Sequence, residues 1–374
     1  MPMLTKGMMR ILYDHQIFTW QRYGGISRYY YELISRICRI PEMDVSIFLG
    51  LNINEYVVPA LRKDCRSYFG IKVPASTGMI RAYKAINCML FNVALYSGSK
   101  PDLYHQTNYS NVAPLYAGRR VVTVLDMIHE RYPEHFPPHD KTTRIKRDAV
   151  ARAEGVICIS QSTKRDLIDL FQVPERKIKV IYLGNSLTRT TSDASPVNAP
   201  YILYVGLREH YKNFTALSRA YARSPRLSRE FKLVCFGGGF FTAAEQNELA
   251  SLGIAANVLH RSGDDGLLAS LYAHASVLVY PSLYEGFGIP PLEAMHYGCP
   301  VLASHASSIP EVVGDAGLYF DPAEPNDLLQ KLEGLLGNDS LRDQLRWRGR
   351  RQEQKFSWDI CAKETSEFYR MLTT

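Results

Sequence analysis

Short runs of apolar and β-branched residues alternate with stretches of helical periodicity along this chain, stop, and then begin again. In the first series, strands are predicted at 10–14, 45–49, 103–105, 121–125, 156–159 and 179–182. Apolar or aromatic side chains at 26, 29, 30, 33, 34 and 37 predict a helix over 26–40. A strand that returns parallel to its neighbour needs a crossover, and a helix is the usual one, so this grammar implies a parallel sheet with helices on both faces. The alternation halts at 188–200, a polar stretch with two prolines that reads as a linker. It resumes with strands at 201–205, 232–236, 277–280, 301–303 and 317–320, and helices at 242–251, 267–273 and 291–297. Residues 327–371 read as almost entirely helical. The expected fold is α/β, with two doubly wound Rossmann-like domains facing an interdomain cleft. Their expected spans are 1–195 and 196–355, with a last helix, 356–374, packing back on the first domain. Ligands of such sheets bind beyond the carboxyl ends of the strands.

Composition removes several other classes. The 374 residues suit two domains of ordinary size. The longest apolar candidate for a membrane span, 88–96, is half the required length and contains Asn92. Met8-Met9-Arg10 runs straight into the first strand, so no secretory leader is expected. The seven cysteines, at 38, 65, 88, 158, 235, 299 and 361, stand singly, the pattern of reduced thiols in a cytoplasmic protein. Charge is uneven. Residues 1–195 hold 27 basic against 17 acidic side chains, net +10, whereas 196–374 hold 17 against 20, net −3. A basic first half suits an acidic partner. Nucleic acid is not expected, because no zinc-finger, RNP or arginine-rich stretch is present.

The densest chemistry lies in 282–295, which follows the apolar strand 277–280. Gly286 and Gly288 allow a tight turn and a close backbone approach to a ligand. Pro290 and Pro291 suit the first turn of a helix. The free amides of that turn favour an anion such as phosphate. Glu285 and Glu293, seven residues apart, can accept hydrogen bonds from ribose and sugar hydroxyls.

These two glutamates resemble the paired glutamates of the retaining glycosyltransferases of GT-B fold, glycosyltransferase family 4 (group 1). Other stretches resemble the same family in the same order. Gly206, Arg208, Lys212 and Asn213 resemble its diphosphate-binding segment, and Gly24-Gly25 its N-terminal glycine loop. Residues 159–164 resemble the close of its first domain, and 300–304 and 318–322 its later strands. The resemblance covers nearly the whole chain. It implies that Arg208 and Lys212 neutralise the donor diphosphate, two cations suiting a leaving group with two to three negative charges. Glu293 would hold the ribose and Glu285 the transferred sugar, with the amides of Phe287, Gly288 and Ile289 nearby. Gly24 and Gly25 would let the first domain's backbone cover the phosphates. No Asp-x-Asp is present, so no metal and no cofactor are expected. Asp126 would orient the acceptor or stabilise positive charge. Many relatives carry His just before that Asp, whereas this chain has Leu125. His129 and His105 are candidate substitutes, with His105 an alternative wall of the acceptor pocket.

The resemblance thus implies a metal-independent, retaining hexosyltransferase of bacterial-type polysaccharide or lipopolysaccharide assembly. Its donor is a nucleoside-diphosphate sugar, with GDP-mannose favoured and UDP-sugars open. The acceptor would be a growing glycan or a polyprenyl-diphosphate-linked one. Arg62, Lys63, Arg66, Lys72, Arg81 and Lys84, followed by Met89, Leu90, Phe91 and Val93, suit contact with an anionic membrane, and hence the inner face of the plasma membrane. A GT-B nucleotide-sugar epimerase and a catalytically silent nucleotide-sugar-binding protein are the alternatives.

Overall fold

The computed structural model describes residues 8–56, 61, 65, 67–76, 78–97, 100–110, 116–187, 194–324 and 326–373. It divides the chain into two compact units, Met1–Gly184 with Ser357–Thr374, and Asn185–Phe356.

The first unit holds a seven-stranded sheet. Its strands are β1 (Met9–Tyr13), β2 (Met43–Asn52), β3 (Ser67–Lys72), β4 (Leu103–Gln106), β5 (Arg119–Val124), β6 (Gly155–Cys158) and β7 (Ile178–Val180). They are all parallel, in the order β3-β2-β1-β4-β5-β6-β7. The main helices are α1 (Gln16–Trp20), α2 (Gly25–Ile37), α3 (Ile80–Ser97), α4 (Thr142–Arg152) and α5 (Gln161–Phe171). Ser160 caps α5 by accepting from the Thr163 amide at 3.0 Å.

The second unit repeats the plan with six parallel strands in the order β10-β9-β8-β11-β12-β13. These are β8 (Tyr201–Val205), β9 (Lys232–Phe236), β10 (Val258–Arg261), β11 (Val277–Tyr280), β12 (Val301–Ser304) and β13 (Gly317–Phe320). Its main helices are α6 (Phe214–Arg223), α7 (Ala243–Ser251), α8 (Asp265–His274), α9 (Ile289–His296), α10 (Asp327–Leu336) and α11 (Asp339–Glu353). The central strands β4, β8 and β11 are buried at every residue. Burial on both faces is why β8 and β11 read as unbroken apolar runs, whereas β4 buries the polar His105 and Gln106.

Strand order reverses between β1 and its neighbours β2 and β4, and again between β8 and its neighbours β9 and β11. Such switch points open a crevice at the carboxyl ends of the strands. Residues 14–16 and 107–110 therefore line one crevice, and 206–212 and 282–288 the other.

The last helix, α12 (Trp358–Thr373), belongs to the first unit. Trp358 packs against Tyr29, and the Tyr369 hydroxyl lies 2.8 Å from that of Tyr13. A Cβ on Gly184 would come within 2.3 Å of the Trp358 nitrogen, so only glycine lets the chain pass so close. Two domain limits differ from the sequence expectation. The first unit ends at Gly184 and not at 195, and the second runs on to Phe356. Leu187 and Val197 are buried, so the stretch around the expected linker contributes packing. Polarity marks exposed chain, not the point at which contacts change sides. Residues 188–193 of that linker lie outside the described residues.

Candidate active site

In the second unit, the turn after β8 and the loop after β11 are fastened together. Lys212 sits on a short 3-10 turn, His210–Lys212, before α6. The Leu283 amide donates to the Tyr211 carbonyl at 2.7 Å, and Lys212 Nζ lies 2.7 Å from Glu285 Oε1. Both charged groups are largely buried, their side chains 19% and 10% exposed. The Glu285 loop is also stapled from β12. The Glu285 amide donates to Ser307 Oγ (2.8 Å), and Ser308 Oγ donates to the carbonyls of Glu285 (2.8 Å) and Phe287 (2.9 Å). Phe287 is buried, edge-on to Phe356. Gly288 forms the N-cap of α9 at φ +119°, a conformation that requires glycine, and Gly206 likewise takes φ +130°. Ile289 then opens α9, with prolines in its first turn.

Glu293 is buried on α9 and accepts from the Tyr272 hydroxyl at 2.9 Å. Burial, and then the Glu293 charge, push that hydroxyl far above its ordinary pKa, so it remains a neutral donor. Tyr280 stands likewise to Glu285. Two carboxylates, each steadied by a phenol, and one cation beside the free end of a helix can hold a polyhydroxylated anion.

Arg208 does not join that set. Its guanidinium is buried and spent inside the protein. Nε donates to Glu245 Oε1 (2.6 Å), and Nη1 and Nη2 donate to the carbonyls of Gly237 (2.9 Å), Gly238 (3.3 Å), Gly239 (3.0 Å) and Phe240 (3.2 Å). It lies over the Phe241 ring. Expected from sequence at the donor diphosphate, Arg208 here clamps the glycine turn that follows β9.

In the first unit, Asp126 follows β5, is partly exposed, and accepts from the Ile128 amide at 3.1 Å. Beneath it lies a buried cation on a helix rich in basic residues. Lys146 on α4 is buried, donating to the Asp126 carbonyl (2.9 Å) and to Glu130 (2.7 Å). No local pattern distinguished it from its exposed neighbours Arg144 and Arg147. His129 stacks on Phe136 at 3.8 Å, its pKa lowered by burial and by Lys146.

His105 is corrected outright. It is fully buried in β4, with Nδ1 on the Tyr369 hydroxyl and Nε2 on Thr123 Oγ1 (3.0 Å). Burial lowers its pKa to about 3, so it is a neutral core residue and no pocket wall. Gly24, the N-cap of α2, has an extended backbone. A Cβ there would strike the Gln21 side chain, which accepts from the Ser27 amide at 3.1 Å and so takes up one amide of that helix end. Gly25 faces open space.

Residues 23–189 match the family described as Glycosyltransferase Family 4, and residues 190–352 match Glycosyl transferases group 1. The O-antigen chain mannosyltransferase B of Escherichia coli is 30% identical over 370 residues, covering 93% of this chain and 96% of that protein. The O-antigen chain mannosyltransferase RfbU of Salmonella typhimurium is 30% identical over 208 residues, 54% of this chain and 57% of its own length. Among solved structures, sucrose-phosphate synthase from Thermosynechococcus elongatus superposes with a TM-score of 0.77 at 20% identity, covering 97% of this chain and 99% of its own. Anabaena HepE in complex with UDP and glucose gives 0.72 at 17%, covering 96% and 99%. The two parallel-sheet units are the pair of Rossmann-like domains of the GT-B fold, and the chain belongs to glycosyltransferase family 4.

Proposed function

We propose that this glycosyltransferase moves mannose from GDP-mannose to a growing glycan or lipid-linked acceptor of a bacterial O-antigen or lipopolysaccharide. The full-length similarity to an O-antigen mannosyltransferase carries this reading. The pairing of Lys212 with Glu285 supports it chemically. In the proposed reaction the leaving diphosphate rests at Lys212 and the backbone amides of Gly288 and Ile289, since Pro290 and Pro291 carry no N–H. Glu293 holds the ribose, Glu285 holds the sugar, and Asp126 orients the acceptor. The bond from the anomeric carbon to the diphosphate oxygen breaks as the acceptor hydroxyl attacks the same face, and the departing phosphate takes its proton. The configuration is retained. Positioning and charge stabilisation supply the rate, with no group acting as a covalent nucleophile.

Donor hydrolysis without acceptor, followed across GDP-mannose, GDP-glucose, UDP-glucose and UDP-galactose, tests the donor. GDP-mannose should turn over fastest, and a UDP-sugar preferred over it would overturn the assignment. The same assay in excess EDTA should keep its rate, since in this reading Lys212 offsets the diphosphate charge in place of a divalent ion. Full loss, restored by manganese or magnesium, would end the metal-independent reading.

We infer further that the first unit meets the cytoplasmic face of an anionic membrane. No described helix is long and apolar enough to cross one. On α3, Ile86, Met89, Val93 and Tyr96 are exposed at successive spacings of three or four residues. Exposed Arg81 lies at the start of the helix, and the Lys84 ammonium lies 4.4 Å from the Trp20 ring. Arg62, Lys63 and Arg66 lie outside the described residues. Binding to vesicles containing phosphatidylglycerol should fall as salt rises, because screening acts over ~8–10 Å near physiological ionic strength. Replacing Met89 and Val93 together by serine removes five apolar groups and should weaken it by about 4 kcal/mol at most, at roughly 0.8 kcal/mol per buried group. Binding that neither salt nor this pair of substitutions alters would leave α3 as plain surface.

A further inference from the structure

Two cysteines far apart in sequence meet in the first unit. Cys38 closes α2, its amide donating to the Ile34 carbonyl at 3.0 Å. Cys65 lies on the connection from β2 to β3. Their sulfurs are 2.9 Å apart, and both thiols are free. Even carbon atoms, which are smaller than sulfur, pack best at ~3.5–4.0 Å. A disulfide is ~2.05 Å long, so closing this pair asks for a movement of about 1 Å or less.

The surroundings fix one thiol and leave the other accessible. Leu61 and Cys65 are buried, and the Cys65 amide donates to the Leu61 carbonyl at 3.1 Å. Cys38 is only half-buried, so a reagent in solution meets Cys38 first. At the other end of α2 the same connection is already fastened. Asn54 Nδ2 donates to the Gln21 carbonyl (2.7 Å) and the Glu55 amide to the Arg22 carbonyl (3.0 Å). The Arg28 guanidinium lies 5.2 Å from the Tyr56 ring. A bond between the two sulfurs would fasten the connection at both ends of the helix.

We propose that Cys38 and Cys65 form a reversible oxidation site, closed to a disulfide by a small-molecule disulfide such as oxidised glutathione. The Cys38 thiolate, its proton released to solvent, attacks one glutathione sulfur. The glutathione S–S bond breaks and one glutathione thiolate leaves. The Cys65 thiolate then attacks the Cys38 sulfur of the mixed disulfide and expels the second glutathione. The two cysteines are oxidised by two electrons, which reduce one oxidised glutathione to two thiols, and the two protons end on those thiols. Disulfides that arise in a reducing compartment are of this transient kind. The bond joins residues 27 apart, and a closed loop of that length restricts the unfolded chain, so oxidation stabilises the fold.

Treating the full chain with excess oxidised glutathione, alkylating it in denaturant and mapping its peptides by mass tests this. The Cys38 and Cys65 peptides should be linked through sulfur, with no alkyl group on either. The melting temperature should rise by at least ~4 °C. Dithiothreitol should reverse both changes. Cys38→Ser should abolish the link and the rise, whereas Cys65→Ser should accumulate glutathione on Cys38. Each variant is compared with its own untreated form, so any loss of stability from the substitution itself does not hide the result. A wild-type chain that keeps both thiols, holds glutathione on Cys38 without passing on to Cys65, or links Cys38 to a different cysteine would overturn the proposal. A Cys38–Cys65 bond with no rise in melting temperature would overturn the fastening it is held to supply.

Discussion

Lys212→Ala should lower kcat by roughly 10²–10³-fold, about 2.7–4 kcal/mol, the range for removing one preorganised group at a site of developing charge. The expectation follows from where the ammonium sits. It is 2.7 Å from Glu285 and largely shielded from water, on a turn pinned to the Glu285 loop through Leu283 and Tyr211. A cation held there needs no rearrangement when the diphosphate acquires its extra charge. If Lys212 acts in the transition state, kcat and kcat/KM should fall together with KM little changed. Lys212→Arg should recover part of the loss, because charge is retained while the rigid turn constrains its position. A variant with normal turnover and only a lowered melting temperature would show that the Lys212–Glu285 pair is structural.

Much of this architecture was legible in the sequence because parallel strands buried on both faces must be apolar throughout. The strands at 201–205, 232–236 and 277–280 fall where they were expected. The two that were missed, β3 and β10, are the outer strands of their sheets. β3 exposes Phe69, Ile71 and Lys72, and only the first residue of β10 is buried, so neither carries an unbroken apolar run. The Glu285 loop and Glu293 were readable because one loop and one helix start carry them in fourteen consecutive residues. The partners of Arg208 and His105 were not readable, for a different reason. What each side chain does depends on partners far off in sequence: Glu245 and the 237–240 carbonyls for one, Thr123 and Tyr369 for the other.

Arg208→Met should therefore cost stability before it costs chemistry. Breaking a buried, hydrogen-bonded ion pair from one side typically costs about 3–5 kcal/mol. Here the loss also leaves the carbonyls of Gly237, Gly238, Gly239 and Phe240 without their shared donor. Three of those residues are glycines with φ between +69° and +83°, so little besides the guanidinium holds the turn in one shape. The expected result is a large drop in the urea midpoint, with folded enzyme that keeps most of its kcat. The effect should depend on pH. Burial opposes ionisation of Glu245, but hydrogen bonds from Arg208 and Thr242 and the Arg208 charge outweigh it and hold its pKa below the ordinary 4.5. A carboxylate with a depressed folded-state pKa adds stability that is complete above its unfolded pKa and is lost as pH falls through the folded one. The stability gap between wild type and Arg208→Met should thus be widest at neutral pH and narrow below about pH 4.5. Wild-type stability at neutral pH together with a hundredfold loss of kcat would return Arg208 to the diphosphate.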